Sequence, residues 1–184
     1  MRKLYLEAGH ADVTGLDPGA VTKDANGVQI TEGHITFPFM EAVATAYESL
    51  GGIVVRDQKQ DALVQTLKRF KNLIGTKDVV VSFHLDAAST PTAHGHTLII
   101  PEKANSQEIL LAQAISRVLT EAGSTARQML VPSQTPHKRL GWLEQPGICI
   151  LVELGFLTND TDRARIKGLM TSLAGQIAYE ISHI

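Results

Sequence analysis

Apolar residues recur along this chain in two rhythms, and each rhythm marks a kind of element. Leu4 to Ala8 alternates apolar with less apolar residues, the period of a strand. Ile53–Val55 and Thr97–Ile100 are short β-like runs, and Asp78 to Phe83 (DVVVSF) is continuous enough to be covered on both faces. A further run, Gly147 to Val152, ends in the carboxylate of Glu153. Between the strands the spacing turns helical. Phe39, Val43, Ala46, Tyr47 and Leu50 share a face of a helix that starts at Thr31 or Thr36 and closes at Gly51-Gly52. Pro38 is expected in its first turn, where a missing N–H costs nothing. Leu63, Leu67, Phe70 and Leu73 line one face of an amphipathic helix from Asp61 to Ile74. Asn105 to Ala122 is another helix, and Asn159 or Asp160 can cap a last one running to about Ser182. Asn26-Gly27, between two β-like arms, is a hairpin signal, and Met129 to Val131 reads as a loop or short strand.

Strands that alternate with helices predict an α/β fold, a three-layer sandwich with a mostly parallel central sheet. No linker, repeat or low-complexity segment interrupts residues 1–184, which are expected to form one catalytic domain. At 184 residues such a domain buries a sizeable core. A net charge of −2 offers no broad attraction to nucleic acid or to an anionic membrane. No apolar run reaches membrane-spanning length, and no apolar leader follows Met1-Arg2-Lys3, so synthesis in the cytoplasm without a signal peptide is expected. The single cysteine, Cys149, lies inside a predicted strand and reads as a small core residue rather than a nucleophile.

Chemistry gathers at strand ends. His10 follows the first strand, His84 ends the DVVVSF strand, and Glu153 ends the last; Glu32 stands just before the first helix. In a parallel sheet the carboxyl ends point one way, so such groups converge on one crevice. Two imidazoles and a carboxylate, with one position left for water, form a known catalytic zinc set. Taken singly each has a plainer role: a strand-end histidine can cap backbone, Glu32 can answer a helix dipole, and Glu153 can pair with a cation. Their joint occurrence favours the site. His94 and His96 form an H-x-H pair, but they begin a strand, which places them at the opposite rim. His137, Lys138, Arg139 and Trp142 precede the last strand and either line the cleft or are ordinary loop residues. Ser82 is expected only to satisfy a backbone group.

The local sequences around these residues resemble the zinc-dependent N-acetylmuramoyl-L-alanine amidases of the Amidase_3 type. LEAGHADVTGLDPGA is similar to that family's opening strand, first histidine and Asp-Pro-Gly-Ala loop, and TEGHITFPFMEAVATAYESLGG to its glutamate segment and following helix. VVSFHLDAAS resembles its Ser-x-His-x-Asn-Ala block, AHGHTLII the strand after it, and GICILVELGFLTNDTDRARI the block bearing the catalytic glutamate. The resemblance implies one zinc ion on His10, Glu32 and His84, Glu153 as catalytic acid and base, and a sheet of about six strands. It also implies hydrolysis of the amide between the lactyl group of N-acetylmuramic acid and L-alanine in peptidoglycan. Three departures stand out. Ala11 replaces a usual glycine; Asp86 replaces a usual asparagine and can tune Glu153, rival the ligands or bind substrate amides; and His34 lies two residues from Glu32. Two alternatives remain: a zinc peptidase that clamps a substrate carboxylate with Arg139, and a non-catalytic wall-binding module. Without a leader, the pattern suits a phage endolysin released by a separate holin-like partner. The segment between His84 and the last strand also lacks room for the long inhibitory helical insertion of the family's cell-division amidases, so constitutive activity at the cell wall is expected.

Overall fold

The computed structural model describes residues 2–10, 18–58, 63–70 and 72–184. Its strands are β1 (Lys3–Ala8), β2 (Val21–Lys23), β3 (Gln29–Thr31), β4 (Ile53–Arg56), β5 (Val79–Asp86), β6 (His96–Ile99), β7 (Ala126–Leu130) and β8 (Ile148–Phe156). Its helices are α1 (Gly33–Ser49), α2 (Leu63–Phe70), α3 (Ser106–Glu121), α4 (Asp160–Gly168) and α5 (Met170–Ser182). Six strands form one sheet in the order β4-β1-β5-β8-β6-β7, and β2 and β3 form the hairpin predicted at Asn26-Gly27. β4, β1, β5 and β8 run parallel, β6 lies antiparallel to β8, and β7 is parallel to β6. The sheet is mostly parallel, as the alternation of elements predicts.

Because successive strand residues face opposite sides, the sheet has two cores. On one face Leu4, Leu6, Val79, Val81, Phe83, Ile150 and Val152 pack beneath α1, α3 and α5. On the other, Tyr5, Val80, Cys149 and Leu151 pack beneath Phe70 of α2 and Trp142 and Leu143 of a 3-10 turn, Gly141–Glu144. Both faces are therefore covered, which is why the central strands read as continuous apolar runs. The second cover is shorter. It leaves the carboxyl-terminal part of β5 and β8 open to polar residues.

Four expectations need correction. β8 does not end at Glu153 but runs on to Phe156, and β5 runs past His84 to Asp86. α1 begins at Gly33, so Pro38 lies inside the helix; the bond it forgoes is to the first turn, while Phe39 and Met40 beside it are fully buried. The last helix is two, α4 and α5, broken at Leu169 just past Gly168. His94 and His96 do not lie at the far rim: β6 runs against β8, with Thr97 opposite Glu153, so its beginning meets the rim where β8 ends. Ala11 and the start of the helix expected from Asp61 lie outside the described residues.

Candidate metal centre and active site

Strand register sets out the site in rows. His84 on β5 stands opposite Glu153 on β8, which stands opposite Thr97 on β6. One step below, Glu7 on β1 stands opposite Ser82, and Ser82 opposite Leu151. Residues in register share a face, so His84, Glu153, Glu7 and Ser82 all lie on the half-covered side. Beyond His84 and Glu153 the register slips, with Asp86 opposite Phe156, so β8 carries an extra residue there. Asp162 at the start of α4 secures this bulge by accepting the Phe156 amide at 2.9 Å, and it accepts the Gly95 amide at 2.9 Å from the loop before β6. A Cβ on Gly155 would stand 2.9 Å from the Asp162 carboxylate, so the bulge requires glycine.

Glu32 reaches the row from the start of α1. Its carboxylate accepts the Ala20 amide at 3.0 Å and the Leu85 amide at 3.0 Å, which fixes both oxygens although the residue is buried. Burial pushes its pKa up, but the hydrogen bond and charge of His84, the charge of His10 and the Ala20 amide outweigh this and leave it lowered. His84 presents Nδ1 to Glu32 Oε1 at 3.0 Å and Nε2 to Glu7 Oε2 at 3.6 Å. Burial alone would favour neutral imidazole; Glu32 and Glu7 override it and raise its pKa well above the ordinary value. His10 follows β1 with φ at 54°, a left-handed turn that brings its ring edge-on to His84 at 5.4 Å between centroids. Gly9 and Gly19 make this crowding possible. A Cβ on Gly9 would collide with the His84 ring, and one on Gly19 with the His10 ring and near the Glu32 carboxylate.

His10, Glu32 and His84 are thus brought together, each offering a ligand atom within 4.8 Å of the others. Two imidazoles and one carboxylate fit a catalytic zinc ion with an open position, so the donor set suits the metal that the resemblance implies. His34 is not part of the cluster; it is exposed and its Nδ1 accepts the Thr31 amide at 3.0 Å. Glu153 lies beside the cluster with one buried carboxylate oxygen that has no hydrogen-bond partner among the described residues. Burial drives its pKa up to about 8; His84 opposes the shift, while Glu32, Asp86 and Glu7 add to it. Asp86 is exposed at the end of β5, and its Oδ1 accepts the Ala87 amide at 2.8 Å.

Other sequence candidates lie apart. Arg139 belongs to the segment joining the end of β7 to the start of β8, at the rim opposite Glu153, and its guanidinium donates to Glu144 at 2.8 Å. Arg139, expected as a substrate contact, thus sits in a loop that enters β8 from its amino end. His96 is buried between Ser116 and Ser124, and His94 is exposed with its ring on the Thr92 carbonyl at 2.9 Å. Cys149 is buried, its thiol pushed up to about 12 first by burial, and behaves as the core residue expected. Ser82 satisfies a side chain rather than backbone: its hydroxyl donates to Glu7. Glu7 itself escaped the sequence reading. The available signal was a carboxylate inside an otherwise apolar strand.

An open α/β sheet that gathers a His/Glu/His cluster and a carboxylate with one oxygen unpartnered among the described residues suits hydrolysis assisted by a metal. The family model for N-acetylmuramoyl-L-alanine amidase (Amidase_3) matches residues 4–183, and the chain belongs to that family. No curated protein matches the sequence at a significant level. Among solved structures it is similar to the putative N-acetylmuramoyl-L-alanine amidase from Neisseria meningitidis, 26% identical with a TM-score of 0.76, over 99% of this chain and 94% of that one. It is also similar to N-acetylmuramoyl-L-alanine amidase AmiC2 of Nostoc punctiforme, 20% identical with a TM-score of 0.76, over 99% and 96%. The catalytic domain of the CD27L endolysin, which targets Clostridia Difficile, shares the fold at 14% identity and a TM-score of 0.68, over 100% and 98%.

Proposed function

We propose that residues 1–184 act as one catalytic unit, a zinc-dependent peptidoglycan hydrolase at the cell wall. The bond cleaved is the amide between the lactyl carbonyl of N-acetylmuramic acid and the L-alanine nitrogen of the stem peptide. The family supports the substrate, and one observation carries the mechanism: the His10, Glu32 and His84 cluster stands beside the unpartnered buried oxygen of Glu153. His10, Glu32 and His84 would hold the ion. Zinc supplies Lewis acidity there and brings the pKa of bound water from about 15.7 toward about 7.

The chain's own groups do the rest. Glu153 accepts the proton of the attacking water and returns it to the departing L-alanine nitrogen, so one group serves as base and then as acid. Its pKa of about 8 without metal would keep it protonated at neutral pH. A dication among the three ligands favours the carboxylate form and brings it toward neutrality, where both roles are open. Asp86, exposed two residues beyond His84, would accept N–H groups of the substrate. A peptidase that clamps a carboxylate with Arg139 is disfavoured, since that guanidinium lies at the other rim on Glu144.

The test is release of new L-alanine amino termini from purified peptidoglycan, with and without chelator, beside a Glu153→Ala variant assayed for metal. The expected result is activity that chelator removes, and a variant that keeps about one zinc yet loses about 10²–10⁴-fold in turnover. Zinc binding with intact peptidoglycan would overturn the substrate. A wild type that takes up no zinc would overturn the site.

A further inference from the structure

Glu7 is a carboxylate next to the last residue of β1, only 2% exposed, at a position that alternation would give to an apolar side chain. Its same-face neighbour Tyr5 packs in the second core, and Leu4, Leu6 and Ala8 pack in the first. Burying a carboxylate there is costly unless something nearby uses it. Two groups face it. Ser82, its cross-strand neighbour, donates its hydroxyl to Glu7 Oε2, and the same oxygen faces His84 Nε2 at 3.6 Å. Asp57, the buried carboxylate just past β4, also feels its charge.

The two nitrogens of His84 therefore look in different directions. Nδ1 is 3.0 Å from Oε1 of Glu32, a member of the cluster, while Nε2 is 3.6 Å from Glu7 Oε2. Neutral imidazole carries one proton, and the nitrogen that keeps it cannot offer a lone pair to a metal. A carboxylate opposite Nε2 holds the proton there and leaves Nδ1 free to ligate. Resting on the metal-site reading above, we infer that Glu7 is the positioning residue of the centre: it fixes the tautomer and ring orientation of His84. Ser82 orients Glu7 in turn. Glu7 is not among the three residues of the cluster, and it acts through His84 rather than as a ligand.

A positioning role and a role in the fold make opposite forecasts for Glu7→Leu. If Glu7 served only the β1–β5 pairing, the variant would lose stability and keep its affinity for zinc. If it positions His84, an apolar side chain suits its buried place, so the metal-free protein melts at the same or a higher temperature. Zinc then binds about 10–100-fold more weakly. The experiment measures Zn2+ affinity and stoichiometry for the whole chain by competition with a chromophoric chelator, for wild type, Glu7→Leu and Glu7→Gln. Metal-free thermal unfolding and the visible spectrum of the Co2+-loaded proteins are recorded beside it.

The expected result is one zinc in every protein, the graded loss of affinity Glu7→Leu beyond Glu7→Gln, and a Co2+ spectrum of unchanged form. Wild-type affinity in both variants would overturn the inference while leaving the metal site standing. A Co2+ spectrum that changes coordination would make Glu7 a ligand, which also overturns it. Should Glu7→Leu fail to fold, Glu7→Gln decides alone on the same criterion. A wild type that binds no zinc sinks the site and the inference together.

Discussion

The His96 ring is held between two hydroxyls, with Ser116 Oγ 2.8 Å from Nε2 and Ser124 Oγ 3.0 Å from Nδ1. Burial pushes its pKa down to about 4; Arg165 adds to the shift and Asp162 opposes it. The ordinary value is 6.5, so between these limits the unfolded chain binds more protons than the folded one. The stability that His96 contributes is complete above about 6.5 and is lost as pH falls toward about 4. Asp57 works against this trend. Burial raises it from 3.8 to about 6, so its protonated form favours the fold below 3.8 and that share is lost as pH rises through about 6. Replacing His96→Gln should therefore flatten the acid side of the stability profile, with the melting temperature falling less than in wild type between about pH 6.5 and 4.5. Parallel profiles would assign the acid sensitivity to other groups. The partners of His96 and Glu7 could not be read from the chain, because only folding brings Ser116 and Ser124, or Ser82 and His84, near them. That His10, Glu32 and His84 would converge was legible, since each lies near the end or the start of an element, inside a distinctive local sequence.

Asp162 does at the level of elements what Glu7 does at the level of one ring. It holds the end of β8 through Phe156, the loop before β6 through Gly95, and its own helix through Arg165, whose guanidinium lies 2.9 Å from Asp162 Oδ1 with both side chains buried. Asn159 caps α4 by accepting the Asp162 amide at 3.0 Å, which sets the carboxylate against the bulge. Asp162→Ala would orphan two backbone amides and leave the Arg165 charge without its partner. Losses of this kind are worth about 3–5 kcal/mol, which chemical denaturation can measure. A cost under about 1 kcal/mol would mean that the bulge closes by other bonds. The strands and most helices were legible from apolar spacing, but strand direction was not. β6 repeats the short apolar pattern of a parallel strand, and only its pairing with β8 reveals that it runs the other way. Pro38 and the break at Leu169 escaped for a related reason, since burial of Phe39, Met40 and Leu173 overrides local preference.

Across the whole molecule, the three proposed ligands come from the end of β1, the start of α1 and the end of β5, positions 10, 32 and 84 in the chain. An ion held by all three would join segments that are distant in the unfolded chain, and the unfolded chain offers no such preformed cluster. Binding to the folded state alone adds RT ln(1 + [L]/Kd), about 2.7 kcal/mol when free zinc is 100 times its dissociation constant. For a chain of this size each kcal/mol moves the melting temperature by roughly 2–4 °C, so zinc should raise it by roughly 5–11 °C and chelator should reverse the change. Glu153→Gln tests whether the gain belongs to the ligands or to the neighbouring carboxylate. It should retain the zinc-dependent rise, because Glu153 is proposed to move protons and not to bind metal. His84→Ala should lose the rise along with the site. A rise of equal size in His84→Ala would place the ion elsewhere, whereas its loss in Glu153→Gln would make Glu153 a ligand and require another group for the acid–base step.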